Sequence, residues 1–273
     1  MGLRVNSNLF SLNAQRNLSN VSQRLGGNFA RLSSGMRISS AADDAAGLGI
    51  SERMRAQIRS LQQAGRNAND GSSLVQTAEG SMSEVSSNLV RMRELAVQAA
   101  NGTLNTGDRA ALNEEFQALF EEIDRVADQT TFNGVQILDG TTPNLAIQVG
   151  SESGETIDIS FGDVTTATLG LSGVGIDTTT NASAVLDLLD SAISDVASAR
   201  GDLGAAQNRI LSAARSIAAT AENLSAAESR IRDVDVAAET ADLTRNSIIQ
   251  QAAVSVLAQA NVQPQIALTL LQG

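Results

Sequence analysis

The sequence has no cysteine, histidine, tryptophan or tyrosine, and its 273 residues include only two prolines and six phenylalanines. Every basic residue is arginine. Without cysteine there is no disulfide framework, no thiolate nucleophile and no cysteine-based zinc site. Without histidine, the usual general base and the usual imidazole metal ligand are both missing. An aromatic content of 2% leaves almost no surface for stacking nucleobases or sugars. The length allows one large domain or two small ones. The inventory therefore argues against catalysis before any motif is read, and no cofactor or metal site is expected.

Charge narrows the reading further. A net charge of −11 argues against a nucleic-acid partner, because phosphates demand excess basic groups. The charge is also unevenly spread. Residues 1–66 carry nine Arg and three acids, whereas residues 67–273 carry ten Arg and 27 acids. No basic residue lies between Arg125 and Arg200, and no charge of either sign follows Arg245. Apolar runs are short and broken by Gln, Ser or Asn, so membrane insertion is not expected. The first residues lack an apolar leader segment, and Asn6 breaks the myristoylation pattern. If the chain leaves the cell, it is expected to use a route without a cleaved leader.

What the chain does have is heptad periodicity. One register runs from Ile50 through Leu61, Val75, Met82 and Leu89 to Ala99. A second runs from Ala182 through Leu189, Leu203, Ile210 and Ile217 to Val234, and fifteen of its sixteen positions are apolar. Both predict long helices with a coiled-coil seam, about 75 Å and 78 Å in length. The second seam alternates large and small side chains, which lets a neighbouring helix approach closely. Matched lengths place the two helices side by side and antiparallel. A shorter helix is expected over Leu112, Phe116, Leu119, Ile123 and Val126, after breaks at Asn101-Gly102 and Thr106-Gly107. Ser40 and Asp43 read as a capping box that starts the first long helix, with Asp44 in its first turn.

The centre of the chain changes character. Thr130–Gly134 is turn-like, Leu145–Val149 reads as a strand, and Thr156–Phe161 alternates polar and apolar residues as a half-buried strand should. A β-hairpin is expected near 144–161, followed by a Thr/Gly/Ser-rich loop over 162–183. Near the N-terminus, Leu18, Val21, Leu25 and Leu32 share a helical face with Phe29 beside it, and Asn28 occupies an apolar slot. Near the C-terminus, Ile249, Ala253, Val256 and Ala260 form another face before Pro264 interrupts it. Isolated helices of this kind are marginal in water. The ends are expected to fold on assembly with neighbouring copies. The alternative is that they pack on each other within one subunit.

These segments resemble the bacterial flagellin family. The resemblance is carried by Arg31-Leu32-Ser33-Ser34-Gly35-Met36-Arg37-Ile38, by Ser40-Ala41-Ala42-Asp43-Asp44-Ala45-Ala46-Gly47-Leu48 and by Ala68–Gly80. Arg93–Gln98, Phe132-Asn133-Gly134, Ser229–Asp235 and Leu257–Asn261 extend it over nearly the whole chain. It implies a mainly α fold: a long antiparallel coiled-coil-like helical hairpin, a short third helix, a small β-hairpin, and termini that are helical in the filament. Residues 1–42 and 243–273 would pair to form an inner tube, and 43–242 would form a helical shell. The large variable outer domains of many flagellins have no counterpart here. The implied function is a structural subunit exported unfolded and polymerised into the extracellular filament for motility, with Leu18, Val21, Leu25, Phe29, Leu32, Ile249, Ala253, Val256 and Ala260 as its self-assembly faces. Implied partners are other copies in an open helical polymer, a flagellar secretion chaperone, and junction and cap proteins. An animal Toll-like receptor, contacting Arg91, Leu95 and Glu115, is a further implied partner.

The nearest rival is a flagellar hook–filament junction protein, which shares the terminal helices. A secreted effector or adhesin with a coiled-coil stalk would need a head, and the 43 residues between Thr141 and Ser183 offer little. An enzyme is the weakest option. Gly47-x-Gly49 sits inside a predicted helix rather than between strand and helix, so it is no phosphate loop. Asp233 and Asp235 lack the glycine and spacing of a calcium loop. Glu121 and Glu122 read as a solvated helix face.

Overall fold

The computed structural model describes residues 8–272, with side chains through Gln263. The described chain is mainly helical, with α1 (Leu9–Ser34), α2 (Ala45–Ala99), α3 (Thr106–Gln129), α4 (Thr179–Arg232) and α5 (Val236–Gln272). Two antiparallel strand pairs lie between α3 and α4: β1 (Thr131–Phe132) with β2 (Val135–Gln136), and β3 (Asn144–Gln148) with β4 (Thr156–Ser160). The expected fold class is the one observed. The chain divides into two compact units, one built from residues up to Ala56 and from Asn223 onward, the other from Gln57–Glu222.

In the second unit α2 and α4 run antiparallel. Arg93 Nε donates to Asp190 at 2.6 Å, Arg200 Nη2 donates to Glu79 at 2.8 Å, and Gly65 lies opposite Ile217. Contact positions thus fall along α4 as they rise along α2. The seam is dry where the periodicity is strongest: Val75, Met82, Val85, Leu89 and Met92 meet Leu189, Ala192 and Ile210 with essentially no exposed surface. Phe116 and Ile123 of α3 complete this core. Burial of each large side chain contributes about 1.5–3 kcal/mol. The seam closes later than its periodicity predicts, because Ile50 and Gln57 are exposed and burial begins at Leu61.

Local chemistry explains the helix ends. Arg109 is buried and donates from Nε to the Ala99 carbonyl and from Nη2 to the Asn101 carbonyl, both at 3.0 Å, satisfying groups that the end of α2 leaves free. Asn105 and Asp108 form a capping box for α3, so Thr106-Gly107 opens that helix instead of breaking the chain. The expected box at Ser40 is also corrected. Asp43 Oδ2 closes a turn by accepting from Ser39 N and Ser40 N, while Asp44 Oδ1 accepts from Ala46 N and Gly47 N and caps α2. Capping falls to Asp44 because its side chain directly precedes the first free N–H groups.

Asn133 and Gly134 both have positive φ, 50° and 79°, which a two-residue I′-type hairpin turn requires. That turn makes the short β1–β2 pair, which the sequence reading took only as a turn. In the larger hairpin Leu145 pairs with Ile159 and Ile147 with Ile157. Ile147 seats on Gly71, where an added Cβ would lie 3.2 Å and 3.3 Å from its side-chain carbons. The segment after β4 is not the open loop expected over 162–183. Val164, Leu169, Leu171 and Ile176 enter the core, and α4 already starts at Thr179. Three α3 side chains hold the segment: Asp124 accepts from Thr166, Asn113 accepts from Ile176 N, and Gln117 donates to the Val174 carbonyl.

In the first unit α1 packs against α5. The connector between α1 and α2 pairs with the one between α4 and α5: Arg37 N donates to the Arg232 carbonyl at 2.7 Å, and Val234 N to the Gly35 carbonyl at 3.0 Å. Helix α5 continues past Pro264, where an interruption was expected.

The core of the second unit makes one firm prediction. Phe116→Ala should lower its stability by about 3–5 kcal/mol, read as an earlier urea midpoint at unchanged slope.

Candidate functional site

The candidate site is the α1–α5 pair. Asn8 caps α1 by accepting from Ser11 N, and Gly35, at φ 70°, ends it in the left-handed conformation that glycine adopts without strain. The helices are antiparallel: Asn8 Nδ2 donates to the Ala260 carbonyl at 2.7 Å, Ser11 Oγ to Asn261 Oδ1 at 2.7 Å, and Asn246 Nδ2 to Asn28 Oδ1 at 3.0 Å. Pro264 has no N–H to give the Ala260 carbonyl four residues earlier, so Asn8 supplies the missing donor. This contact meets one of the demands a proline places inside a helix.

The anticipated assembly residues divide into two groups. Val21, Leu25 and Ala260 are buried within the chain, and Leu18, Leu32 and Ala253 are half-buried. Phe29, Ile249 and Val256 remain outside, at 61%, 42% and 59% exposure. Sequence reasoning passed over Leu9, Phe10, Leu12, Ile248 and Val254, which are also exposed. For Ile248 and Val254 the signal was available, since apolar residues surround α5 instead of forming one stripe.

A polar network interrupts the apolar contact. Asn28 is buried; its Nδ2 donates to Glu239 Oε1 at 2.6 Å, and Arg31 Nε donates to the same oxygen at 2.9 Å. Arg31 holds the Glu239 carboxyl below the usual glutamate range, outweighing the opposing effect of burial, and the Asn28 amide adds to the depression. Asn28 stood out in the sequence as a polar residue in an apolar slot, but Glu239 and Asn246 gave no comparable signal. The arrangement offers no chemistry beyond association. Among the described residues no group of three carboxylates could hold a metal ion, and no helix is long and apolar enough to cross a membrane.

Comparison with known proteins decides the family. The bacterial flagellin N-terminal helical region matches residues 5–142, and the bacterial flagellin C-terminal helical region matches 186–271. The chain belongs to the bacterial flagellin family. It is 49% identical over 273 residues to a flagellin of Halalkalibacterium halodurans, covering 98% of this chain and 99% of that one. It is 42% identical over 304 residues to a flagellin of Bacillus subtilis, covering 99% and 100%. The flagellar filament 33 kDa core protein of Treponema phagedenis is 40% identical over 284 residues, covering 98% and 99%. The crystal structure of Bacillus cereus flagellin aligns with 60% of this chain and 94% of its own at a TM-score of 0.52 and 32% identity. A putative flagellar hook-associated protein of Vibrio parahaemolyticus shares the fold over 70% of this chain and all of its own, at a TM-score of 0.59 and 15% identity.

For this family member the three residues proposed to meet a receptor are not equivalent. Arg91 Nε and Nη2 donate to Glu115 Oε1 at 2.9 and 2.8 Å, and Arg91 Nη1 donates to Glu94, all at the surface. Leu95 is 1% exposed and belongs to the core.

The Glu239 contact predicts an acid sensitivity with a definite sign. Its folded-state pKa is lowered, so its stabilising effect is whole above the ordinary glutamate value and is lost as pH falls through the folded one. Amide resonances of α1 followed from pH 5 to 2.5 should show a loosening step in the unaltered chain. That step should be absent from Glu239→Gln, whose contact no longer titrates.

Proposed function

We infer that this chain is a structural subunit of the bacterial flagellar filament, acting outside the cell by polymerising with its own copies. The observation that carries the reading is a terminal helix pair that leaves Phe29, Ile249 and Val256 exposed and has no charge after Arg245. Burying an unpaired charge in such a contact would be costly, and α5 carries none beyond Arg245. The family membership and the filament core protein among the relatives support it. The relatives are named as flagellins or as a flagellar filament core protein, and no enzymatic step enters this reading.

Residues 1–42 and 243–273 are proposed as the inner tube and 43–242 as the shell. Like subunits joined by unlike patches grow as an open helix instead of closing, which gives addition at an end. In the structure α1 and α5 pack on each other within one chain, the alternative arrangement weighed from the sequence. Because that contact covers only part of their apolar surface, we propose that the pair gains its full order when neighbours add the remainder. Export as an unfolded chain, a secretion chaperone, and junction and cap proteins belong to the same reading. A Toll-like receptor would meet the Arg91–Glu115 pair and not the buried Leu95. The hook–filament junction alternative rests on a shared fold and has no observation in its favour over the filament subunit.

Electron microscopy of a polymerisation trial tests the reading. Intact chain should give long filaments, whereas a junction protein would stop at short rings. Chain trimmed of residues 1–42 and 243–273 should give none; filaments from trimmed chain would overturn the mechanism. The exposed substitutions Ile249→Asp and Val256→Asp should leave monomer stability within about 0.5 kcal/mol while abolishing polymerisation. Amide exchange should find α1 and α5 opening far more readily than the Val75–Met92 core in dilute chain, and protected in the polymer.

A further inference from the structure

The α1 stripe of Leu18, Val21, Leu25 and Leu32 has one polar slot, Asn28, and that residue is 3% exposed. Both of its side-chain partners stand on α5: Glu239 accepts from it at 2.6 Å and Asn246 donates to it at 3.0 Å. A second polar contact lies nearer the start of α1, where Asn8 serves the Ala260 carbonyl that Pro264 cannot. Both contacts depend on one axial register. If α5 slid by one heptad in one direction, Glu239 would stand where Asn246 stood, and Arg31 would lose its carboxylate because α5 begins at Val236. In the other direction, Asn246 would take the place of Glu239 and Ala253 that of Asn246, so Asn28 would keep one polar partner and Arg31 would lose its carboxylate. Either slide would also take Asn8 away from the one carbonyl in that turn lacking a helical donor. The apolar residues discriminate less against the second slide, which sets Val256 at the place of Ile249 and Ala260 at that of Ala253. A buried amide in an apolar seam sets register because each slide of one heptad leaves it one polar partner short.

Resting on the filament reading, we propose that Asn28 is a register-determining residue: with Asn8 it fixes α5 against α1 and so keeps polymers of this chain to one lattice. The register decides which apolar residues of the two helices stand side by side for a neighbouring copy. A slipped pair offers neighbours a different surface, and slipped and unslipped subunits would build different walls.

The absence of cysteine makes the test direct. Ser22 and Gln250 touch across the pair, with Oγ and Nε2 3.5 Å apart, so Ser22→Cys with Gln250→Cys reports the native register. Ser22→Cys with Leu257→Cys reports a slide of one heptad. Each reporter pair is placed in the unaltered chain and in Asn28→Leu/Asn246→Leu, which removes both polar partners together and leaves Glu239 to Arg31. Filaments are oxidised, disulfides are assigned by peptide mass, and the lattice is read by electron microscopy. Each variant is also added at about one part in ten to unaltered chain, so that it is carried into a polymer even if it assembles poorly alone. The expected result is native cross-links only in the unaltered background. In the double variant the slipped cross-link should rise at least about tenfold, the ratio that about 1.4 kcal/mol of register preference sets, and lattices should be mixed. Native cross-links alone and a single lattice in the double variant would overturn the proposal. Failure of the unaltered chain to polymerise would instead overturn the filament reading.

Discussion

One helix can cover only one stripe of another, and α5 is apolar on more sides than a single partner reaches. That geometric limit governs the terminal unit. Burial of Val21, Leu25 and Ala260 uses the stripe where α1 and α5 meet, while Phe29, Ile249 and Val256 face outward. A chain with this surface can be soluble and alone, or it can be satisfied, but α1 by itself cannot make it both. The missing contacts have to come from outside the pair. On the reading proposed above, neighbouring copies would supply them without any new sequence, and polymerisation would follow from packing and not from a dedicated recognition motif.

The second unit faces no such limit. There α2 and α4 are joined by α3, a hairpin and a strapped segment, so the seam is covered on several sides. With so few aromatic residues, that core is filled by interdigitation: Ala78 and Ala192 let backbones approach, and Met82, Leu89 and Leu189 occupy the space between. Gly71 plays the same part for the hairpin, since its missing Cβ is the space Ile147 needs.

The long seam, the third helix and the larger hairpin were legible because each is written as a period, and a period survives without knowledge of the partner. What escaped reading depended on residues far apart in the chain. The segment from Val164 to Ile176 looked like solvent loop by composition, yet Asp124, Asn113 and Gln117 of α3 hold it down. Pro264 looked like a helix stop, and only the position of Asn8, some 250 residues away, shows how the freed carbonyl is met. Helical spacing grouped Val21 with Phe29, but spacing cannot say which member of a face the partner helix covers. Leu95 was grouped with Arg91 and Glu115 by resemblance, and burial separates it from them.

The exclusive use of arginine acquires a partial explanation from how the cations are placed. Arg91, Arg93 and Arg200 each span from one helix to a carboxylate on another, using two guanidinium nitrogens at once. Arg109 uses the same fork to reach two carbonyls at the end of α2. A lysine could supply the charge but not two donors in a fixed plane. Exposed ion pairs contribute only about 0–1 kcal/mol each, so stability alone is a weak reason for the preference. Orientation is the stronger one, because a forked contact resists sliding where a point charge tolerates it. In seams that repeat every seven residues, a forked contact therefore adds direction to an alignment that the apolar packing supplies with its energy.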